Sequence, residues 1–351
     1  MKSYKAIGIM SGTSLDGLDI VFCHFTFQKN WKFELIKSIT IDYSKHWKEK
    51  LAEAPFLNGY ELTKFHKQYG KFIGDSVNQF IKNSDFQADL VASHGHTIFH
   101  QPDKKLTLQI GDGYEIATTT EITTICDFRS LDIALGGQGA PLVPIGDELL
   151  FSDYNYCLNI GGFANISFNN NGNRCAYDIG PANIILNYLT NKLGHDYDKN
   201  GALGLLGKTN TELLEKLNSL EYYSNSFPKS LGREWLDSEF IPVLDKTEAS
   251  LHDKLRTVYE HIAIQISKAL NSDGQSKTLV TGGGAYNKLL INLTKQKTKS
   301  QLVIPNKELI DYKEAIIFAL LGVLKLENEV NCLASVTGAK KDSSSGVIYS
   351  I

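Results

Sequence analysis

Residues 6–19 read Ala6-Ile7-Gly8-Ile9-Met10-Ser11-Gly12-Thr13-Ser14-Leu15-Asp16-Gly17-Leu18-Asp19. Ala6 to Met10 predicts a buried strand, Ser11 to Gly17 a polar turn, and Leu18 to Phe27 a returning strand. The stretch is therefore a β-hairpin with a Gly/Ser/Thr/Asp tip. The design recurs in the middle of the chain. Cys157 to Ile160 is a strand, Gly161-Gly162-Phe163-Ala164-Asn165 a turn, and Ile166 to Phe168 another strand. A third glycine turn, Thr281-Gly282-Gly283-Gly284, follows the strand Thr278–Val280 and precedes a helix from about Asn287 to Lys295. Two hairpins of one design predict two structurally similar halves whose residue identities hardly repeat.

The rest of the pattern is mostly helical. Glu61 to Ile81 carries Leu62, Phe65, Tyr69, Phe72, Ile73, Val77 and Phe80 at spacings of three and four. Leu251 to Leu270 repeats that period, and Lys313 to Leu326 is apolar on all sides, as a buried helix would be. Strands mixed with helices give an α/β protein. The run Gly136-Gly137-Gln138-Gly139-Ala140-Pro141 marks the expected hinge between halves, and 169–173 (Asn-Asn-Asn-Gly-Asn) a polar turn.

Composition narrows the partners. The chain has 351 residues, enough for about two domains. Its 36 basic and 39 acidic residues leave a net charge of −3, which offers nothing to nucleic acid or a membrane surface. No apolar run reaches the ~18 residues of a membrane span, and the N-terminus lacks the apolar core of a signal peptide. The five cysteines are scattered and never form Cys-x-x-Cys, so they read as reduced thiols of a cytoplasmic protein. Hydrophobic residues make up 42% and charged residues 21%, as in ordinary globular proteins. These observations point to a small-molecule partner.

Several residues could carry chemistry. Gly201 to Thr209 (GALGLLGKT) nearly spells a P-loop, but five residues separate Gly201 from Gly207 where four are needed, and no strand precedes it. It reads as a loop entering the helix at Glu212-Leu213-Leu214. The glycine spacing excludes a Rossmann dinucleotide site, and no protein-kinase signature is present. The hairpin Gly8 to Asp19 is the better phosphate binder, because a glycine turn lets backbone N–H groups converge on an anion while Ser11, Thr13 and Ser14 add hydroxyls. Asp16 or Asp19 could face a nucleotide-bound Mg²⁺. A plain hairpin tip would favour the same residue types.

Asp178, before Gly180-Pro181, reads as a helix N-cap or as a general base, and the residues alone favour the cap. His94, His96 and His100 lie on one expected strand, but no cysteine or carboxylate cluster completes a tetrahedral metal site. They read as ligand contacts or structural hydrogen bonds. Arg129 is an ion-pair residue or an anchor for an anionic or polyhydroxyl ligand. Glu314 heads the apolar helix, where a charge–dipole role is the default.

The motifs GIMSGTSLDGLD (8–19), SHGHTIFHQP (93–102), TLQIGDG (107–113), DFRSLDIALGGQGAPLVP (127–144), NIGGFANIS (159–167), YDIGPAN (177–183), KSLGRE (229–234), TGGG (281–284) and SVTGA (335–339) span nearly the whole chain. Together they resemble the anhydro-N-acetylmuramic acid kinase family of the sugar kinase/Hsp70/actin superfamily. That resemblance implies two actin-like (ribonuclease H-like) lobes with a nucleotide cleft between them. The expected lobes are residues 1–134 with 331–351, and residues 135–330.

The implied activity is ATP-dependent hydrolytic opening of the 1,6-anhydro ring with phosphorylation of O6, in peptidoglycan recycling. By motif, Asp178 becomes the catalytic base rather than a cap. Gly12, Thr13, Ser14, Leu15, Asp16, Gly17, Leu18 and Asp19 would hold ATP phosphates, with Gly161 and Gly162 as a second phosphate turn. Gly282, Gly283 and Gly284 would lie near the adenosine, and Arg129, Glu314 and His94 would contact the sugar. ATP carries Mg²⁺, whose protein ligands the motifs leave unknown. The partner is a small sugar, with neither nucleic acid nor membrane, and a homodimer is compatible with the sequence. The chain departs from the family at Ile179, Ala182, Asn187 and His96, and 195–230 matches weakly. A kinase for another anhydro- or amino-sugar and a nucleotide-gated sugar-sensing protein are the alternatives.

Overall fold

A computed structural model describes residues 1–12, 15–82, 86–270 and 275–351. The chain divides into two compact units, Met1–Leu150 with Tyr312–Ile351, and Phe151–Asp311. In the first, β1 (Lys2–Ser11), β2 (Gly17–Phe27) and β3 (Trp31–Asp42) form an antiparallel meander. Strand β4 (Leu90–Gln101) runs parallel to β1, and β6 (Thr124–Cys126) parallel to β4. Two antiparallel additions complete the sheet: β5 (Leu106–Ile110) on β4, and β12 (Val347–Tyr349) on β6.

The second unit repeats the plan. Strands β7 (Tyr156–Ile160), β8 (Phe163–Asn170) and β9 (Asn173–Pro181) form the meander. Strand β10 (Lys277–Thr281) runs parallel to β7, and β11 (Gln301–Val303) parallel to β10. Without β5 and β12, the sheets read β3-β2-β1-β4-β6 and β9-β8-β7-β10-β11. Both have three antiparallel strands followed by two parallel ones laid beside the first. Parallel neighbours require long crossovers. The helices Gly59–Ile81 and Leu251–Leu270 supply them before β4 and β10. This shared strand order is the ribonuclease H-like one, so the expected pair of similar α/β halves is present.

Each meander owes its position to alternation. Ile7, Ile9, Leu18, Ile20 and Phe22 join Phe65, Tyr69, Ile73 and Val77 of the Gly59–Ile81 helix in one apolar core. Leu158, Ile160, Ile166 and Ile179 meet Leu255, Val258, Ile262 and Ile266 in the other. Helix Lys307–Leu326 is buried along most of its length, from Ala315 to Leu324, as its apolar run predicts. It starts two turns earlier than expected because Asn306 accepts a hydrogen bond from the Leu309 N–H (3.0 Å), an N-cap in front of a polar first turn. Glu314 is therefore well inside the helix, so the charge–dipole role is withdrawn.

Residues 135–150 and 312–330 belong to the first unit, not the second as expected. Helix 307–326 presents small residues to the first sheet, which lets backbones touch: a Cβ on Gly8 would lie 2.0 Å from the Ala315 carbonyl oxygen and 2.8 Å from the Ala319 Cβ. The 136–141 run is not a hinge. The Asp132 carboxylate accepts the Gly139 N–H (2.7 Å) and the Thr337 hydroxyl (2.7 Å), and the Gln138 N–H donates to the Thr337 carbonyl (2.9 Å). Those bonds sew the run into the first unit.

Overpacking at the Gly8 contact should cost about 1–3 kcal/mol or more. Gly8→Val is expected to lower the urea midpoint clearly, whereas Gly59→Ala, where a Cβ would meet nothing within 4 Å, should leave it nearly unchanged. Equal midpoints for the two variants would contradict this packing.

Candidate active site

Asp178 lies within β9, five residues before the helix Asn183–Asn191, so it is not that helix's cap. Its register partner is Asn165, while Gly180 pairs with Ala164, which leaves Ile179 as the extra residue of a β-bulge. The bulge re-aims Asp178 as its main chain meets the segment 229–231. The Asp178 N–H donates to the Lys229 carbonyl (3.1 Å), and the Tyr222 hydroxyl donates to the Asp178 carbonyl. The Leu231 N–H donates to carboxylate Oδ2 (2.9 Å). Among the described residues Oδ1 has no hydrogen-bond partner. Burial raises the carboxyl pKa above the ordinary aspartate value, with the Leu231 N–H pulling it back. A half-buried carboxylate with one oxygen fixed, one oxygen open and a raised pKa is suited to accept a proton.

The glycine turns of the second unit interlock around the end of β7. The Gly162 carbonyl accepts from the Ala182 N–H (2.8 Å) and the Gly161 carbonyl from the Asn183 N–H (3.1 Å), so both turn glycines bond to the start of the Asn183–Asn191 helix. The Asn183 side chain donates to the Ile160 carbonyl (3.1 Å). The glycines then separate by role. Gly282 has φ +80°, and its Cβ would meet Asn159 Oδ1 at 2.5 Å; a Cβ on Gly284 would meet Ile160 Cγ2 at 2.2 Å. These two are required by packing. Gly162 and Gly283 are exposed, and a Cβ on either would meet nothing nearer than 3.7 Å, so local packing does not explain their being glycine.

In the first unit, Thr13 and Ser14 lie outside the described residues. Of the rest of that turn, Gly12 and Leu15 are joined by a hydrogen bond from the Leu15 N–H to the Gly12 carbonyl (3.4 Å), and Leu15 has φ +59°. The Tyr43 N–H donates to the Asp16 carbonyl (3.2 Å), which ties the turn to the end of β3. Asp16 is exposed, Gly17 and Leu18 are buried at the start of β2, and Asp19 accepts from the Thr40 hydroxyl (2.6 Å).

Ser11 is not available to an anion. It is buried and joins a chain of side chains: Tyr69 OH to Tyr43 OH (2.5 Å), Tyr43 OH to Ser11 Oγ (2.8 Å), and Ser11 Oγ to His96 Nδ1 (2.9 Å). The fully buried Tyr69 hydroxyl bonds to both Tyr43 and Ser11, so the three hydroxyls form one closed polar cluster. His96 Nδ1 closes the cluster through its bond to Ser11 Oγ.

His94 and Arg129 come together, but not as two ligand contacts. His94 is buried with both nitrogens in use: Nδ1–H donates to the Gly95 carbonyl (2.9 Å), and Nε2 accepts from Arg129 Nε (3.0 Å). Burial, then the Arg129 charge, push its pKa well below the usual histidine value. The expected sugar contact at His94 is corrected on this ground, since the ring has no spare polar atom and instead orients Arg129.

Arg129 Nη1 donates to the Gly139 carbonyl (2.7 Å), and Nη2 has no acceptor among the described residues. Burial lowers the Arg129 pKa to about 10, opposed by Glu314. Glu314 is solvent-reachable but ringed by protein. Lost hydration raises its carboxyl pKa above the ordinary glutamate value, while Lys313 and Arg129 draw it down. Lys313 itself is spent in a buried ion pair with Asp147 (2.6 Å). The departures Ile179 and Ala182 are buried among the apolar residues of the second core.

Among the described residues, no three His, Cys, Asp or Glu side chains are grouped to hold a metal ion, and no helix is long and apolar enough to cross a membrane. The GALGLLGKT loop is structural. Asp198 accepts from the Leu203 N–H (2.8 Å), the Gly204 N–H (2.9 Å) and the Tyr259 hydroxyl (3.1 Å), which leaves no phosphate cradle.

Two ribonuclease H-like units bearing glycine turns and a poised carboxylate define the class of chain. Comparison with known proteins gives the family. A profile described as anhydro-N-acetylmuramic acid kinase matches residues 4–351. The chain is 35% identical to anhydro-N-acetylmuramic acid kinase of Pseudoalteromonas translucida, over 95% of this chain and 94% of that protein. It is 36% identical to the Haemophilus influenzae enzyme of the same name, over 99% of this chain and 98% of that protein. Among solved structures, the ADPNP-bound activator of 2-hydroxyisocaproyl-CoA dehydratase from Clostridium difficile aligns with a TM-score of 0.44 and 12% identity, over 92% of this chain and 97% of that one. The chain belongs to the anhydro-N-acetylmuramic acid kinase family.

The buried histidines make stability depend on pH. Burial lowers the pKa of His96 to about 4 and of His261 to about 3, and holds that of His94 well below the usual histidine value. The unfolded chain therefore binds more protons than the folded one below pH ~6.5, and stability falls as pH drops from there toward 4. Each ring contributes a slope of up to about 1.4 kcal/mol per pH unit. His96→Gln keeps a hydrogen-bonding group for Ser11 and should flatten the slope in urea titrations at pH 7, 6 and 5. An unchanged slope would contradict a buried, neutral His96 ring.

Proposed function

We propose that this chain is an ATP-dependent kinase that opens the 1,6-anhydro ring of anhydro-N-acetylmuramic acid with water and phosphorylates O6. The products are N-acetylmuramic acid 6-phosphate and ADP. The observation that carries the reading is Asp178: a half-buried carboxylate held by the Leu231 N–H at one oxygen and open at the other. Membership of the kinase family supports the rest.

In the first step Asp178 Oδ1 takes a proton from a water molecule as its oxygen bonds to the anomeric carbon. The C1–O6 bond breaks, and O6 forms a bond to the γ-phosphorus as the bond to ADP breaks. The proton on Asp178 returns to solvent. Phosphoryl transfer of this kind depends on positioning and charge neutralisation rather than covalent help.

In the first unit, Gly12 to Asp19 would receive the phosphates, and Arg129 Nη2 and the Glu314 carboxylate would contact the sugar. In the second, Gly161 and Gly162 would meet phosphate and Gly283 the adenosine. The donors described beside the first turn, Asp16, Asp19 and the Thr40 hydroxyl, are all oxygens, which suits Mg²⁺. Asp16 and Asp19 would hold the nucleotide-borne Mg²⁺, which supplies neutralisation of phosphate charge. We place the reaction in the cytoplasm, where its nucleotide and free thiols persist, with a small sugar as the partner.

The test is turnover of anhydro-N-acetylmuramic acid with ATP and Mg²⁺, followed as ADP and sugar 6-phosphate. Asp178→Asn is expected to lose about 10²–10⁴-fold in kcat while still binding ATP. Because the carboxyl pKa is raised, kcat/KM of the unchanged protein should fall on acidification through a pKa above the ordinary ~3.9 of aspartate. Retained turnover in the Asn variant would remove Asp178 from the mechanism.

A further inference from the structure

The main chain of Lys229 meets that of Asp178, and among the described residues its ammonium pairs with no acid. Its half-buried ammonium donates to the Tyr222 carbonyl (3.0 Å) and lies 4.5 Å from the centre of the Tyr222 ring and 5.7 Å from that of Tyr177. Tyr177 in turn stacks on Phe227, with ring centres 5.6 Å apart and planes 6° apart, so the Lys229 stem crosses an aromatic wall. Among the described residues no carboxylate forms an ion pair with it. Burial lowers its pKa below the usual lysine value, and no opposing acid restores it. One carbonyl leaves two of the three ammonium protons unused.

Its location is as specific as its chemistry. The Lys229 carbonyl accepts from the Asp178 N–H (3.1 Å), and the Leu231 N–H two residues on holds the Asp178 carboxylate (2.9 Å). Tyr222 ties both: its hydroxyl donates to the Asp178 carbonyl, and its own carbonyl receives the Lys229 ammonium. The backbone that sets the base therefore sets the cation as well. A partly desolvated cation held by a carbonyl and two aromatic faces, with no carboxylate, regains more free energy from an arriving anion, which suits it to an anion site.

Two anions take part in the proposed reaction: the phosphates of the nucleotide, and the carboxylate on the lactyl ether of the sugar. We infer that Lys229 recognises the lactyl carboxylate of the sugar substrate and so selects it over anhydro-sugars that lack the lactyl group. This rests on the proposed function. Asp178 acts at the anomeric carbon, and a cation offset from it along the same segment fits a carboxylate carried elsewhere on the sugar.

The experiment compares the unchanged protein with Lys229→Met, which keeps an apolar stem on Tyr222, and Lys229→Arg, which keeps the charge. Each is assayed with ATP and either anhydro-N-acetylmuramic acid or 1,6-anhydro-N-acetylglucosamine, which lacks the lactyl carboxylate. Equilibrium competition replaces turnover where turnover is slow. Lys229→Met should lose about 10–100-fold in kcat/KM for the acidic sugar, mainly through KM. The neutral sugar and the KM for ATP should be unaffected, and Lys229→Arg should recover part of the loss. Equal losses on both sugars would make Lys229 merely structural, and a raised KM for ATP with sugar preference intact would make it a phosphate ligand. Either result, or no loss at all, overturns the inference while leaving the proposed function standing. If the unchanged protein uses and binds neither sugar, the proposed function itself fails and Lys229's role falls with it.

Discussion

The hydrogen bond from the Leu231 N–H to Asp178 Oδ2 is the contact on which the chemical account depends. A carboxylate on a strand would ordinarily be free to rotate and be solvated at both oxygens. Here the strand bulges at Ile179, the main chain of Asp178 is bonded at its N–H and its carbonyl, and one oxygen is fixed. What remains is a single open oxygen in a partly dehydrated setting. Burial raises the affinity of that oxygen for a proton, and the one backbone N–H keeps the rise in check. Without the 229–231 segment the same residue would be an ordinary strand aspartate.

The repeated strand order explains why the glycines fall where they do. In both units the first strand of the meander is followed by glycine, Gly12 after β1 and Gly161-Gly162 after β7. The next parallel strand of the second unit ends in Gly282 to Gly284. Some of these glycines answer to packing: Gly284 sits against Ile160, as Gly8 sits against Ala315. Others, Gly162 and Gly283, would accept a Cβ with only an ordinary contact, at 3.8 and 3.7 Å. Glycine count alone cannot separate these two reasons, because both remove a side chain; the distance to a hypothetical Cβ does.

How much was legible in the sequence follows from how local each signal is. The hairpins, the Gly59–Ile81 and Leu251–Leu270 helices and the duplicated plan were readable because apolar periodicity and turn residues act over a few positions. Two boundaries were not. Helix 307–326 begins with polar residues behind an Asn306 cap, a signal present in the sequence but outvoted by hydropathy. The 136–141 run has the composition of a linker, yet Asp132 and Thr337 hold it; Thr337 is far along the chain.

The site residues divide the same way. Asp178, Arg129 and Glu314 are proposed from motifs, and Gly180-Pro181 reads as a turn into a helix where the strand in fact continues. His94 was taken for a ligand contact because its buried partnership with Arg129 and Gly95 joins separate elements. Nothing local in the sequence marks Lys229, because its contact with Tyr222 and the lack of an acid partner among the described residues exist only after folding.

The central claim is that water opens the sugar ring while the released O6 receives the phosphoryl group. Turnover of anhydro-N-acetylmuramic acid and ATP in ¹⁸O-water, with products taken early and analysed by mass spectrometry, tests it most directly. The account predicts one ¹⁸O at the anomeric hydroxyl of the product and none in its phosphate. Label in released inorganic phosphate, or an unlabelled sugar product, would contradict it.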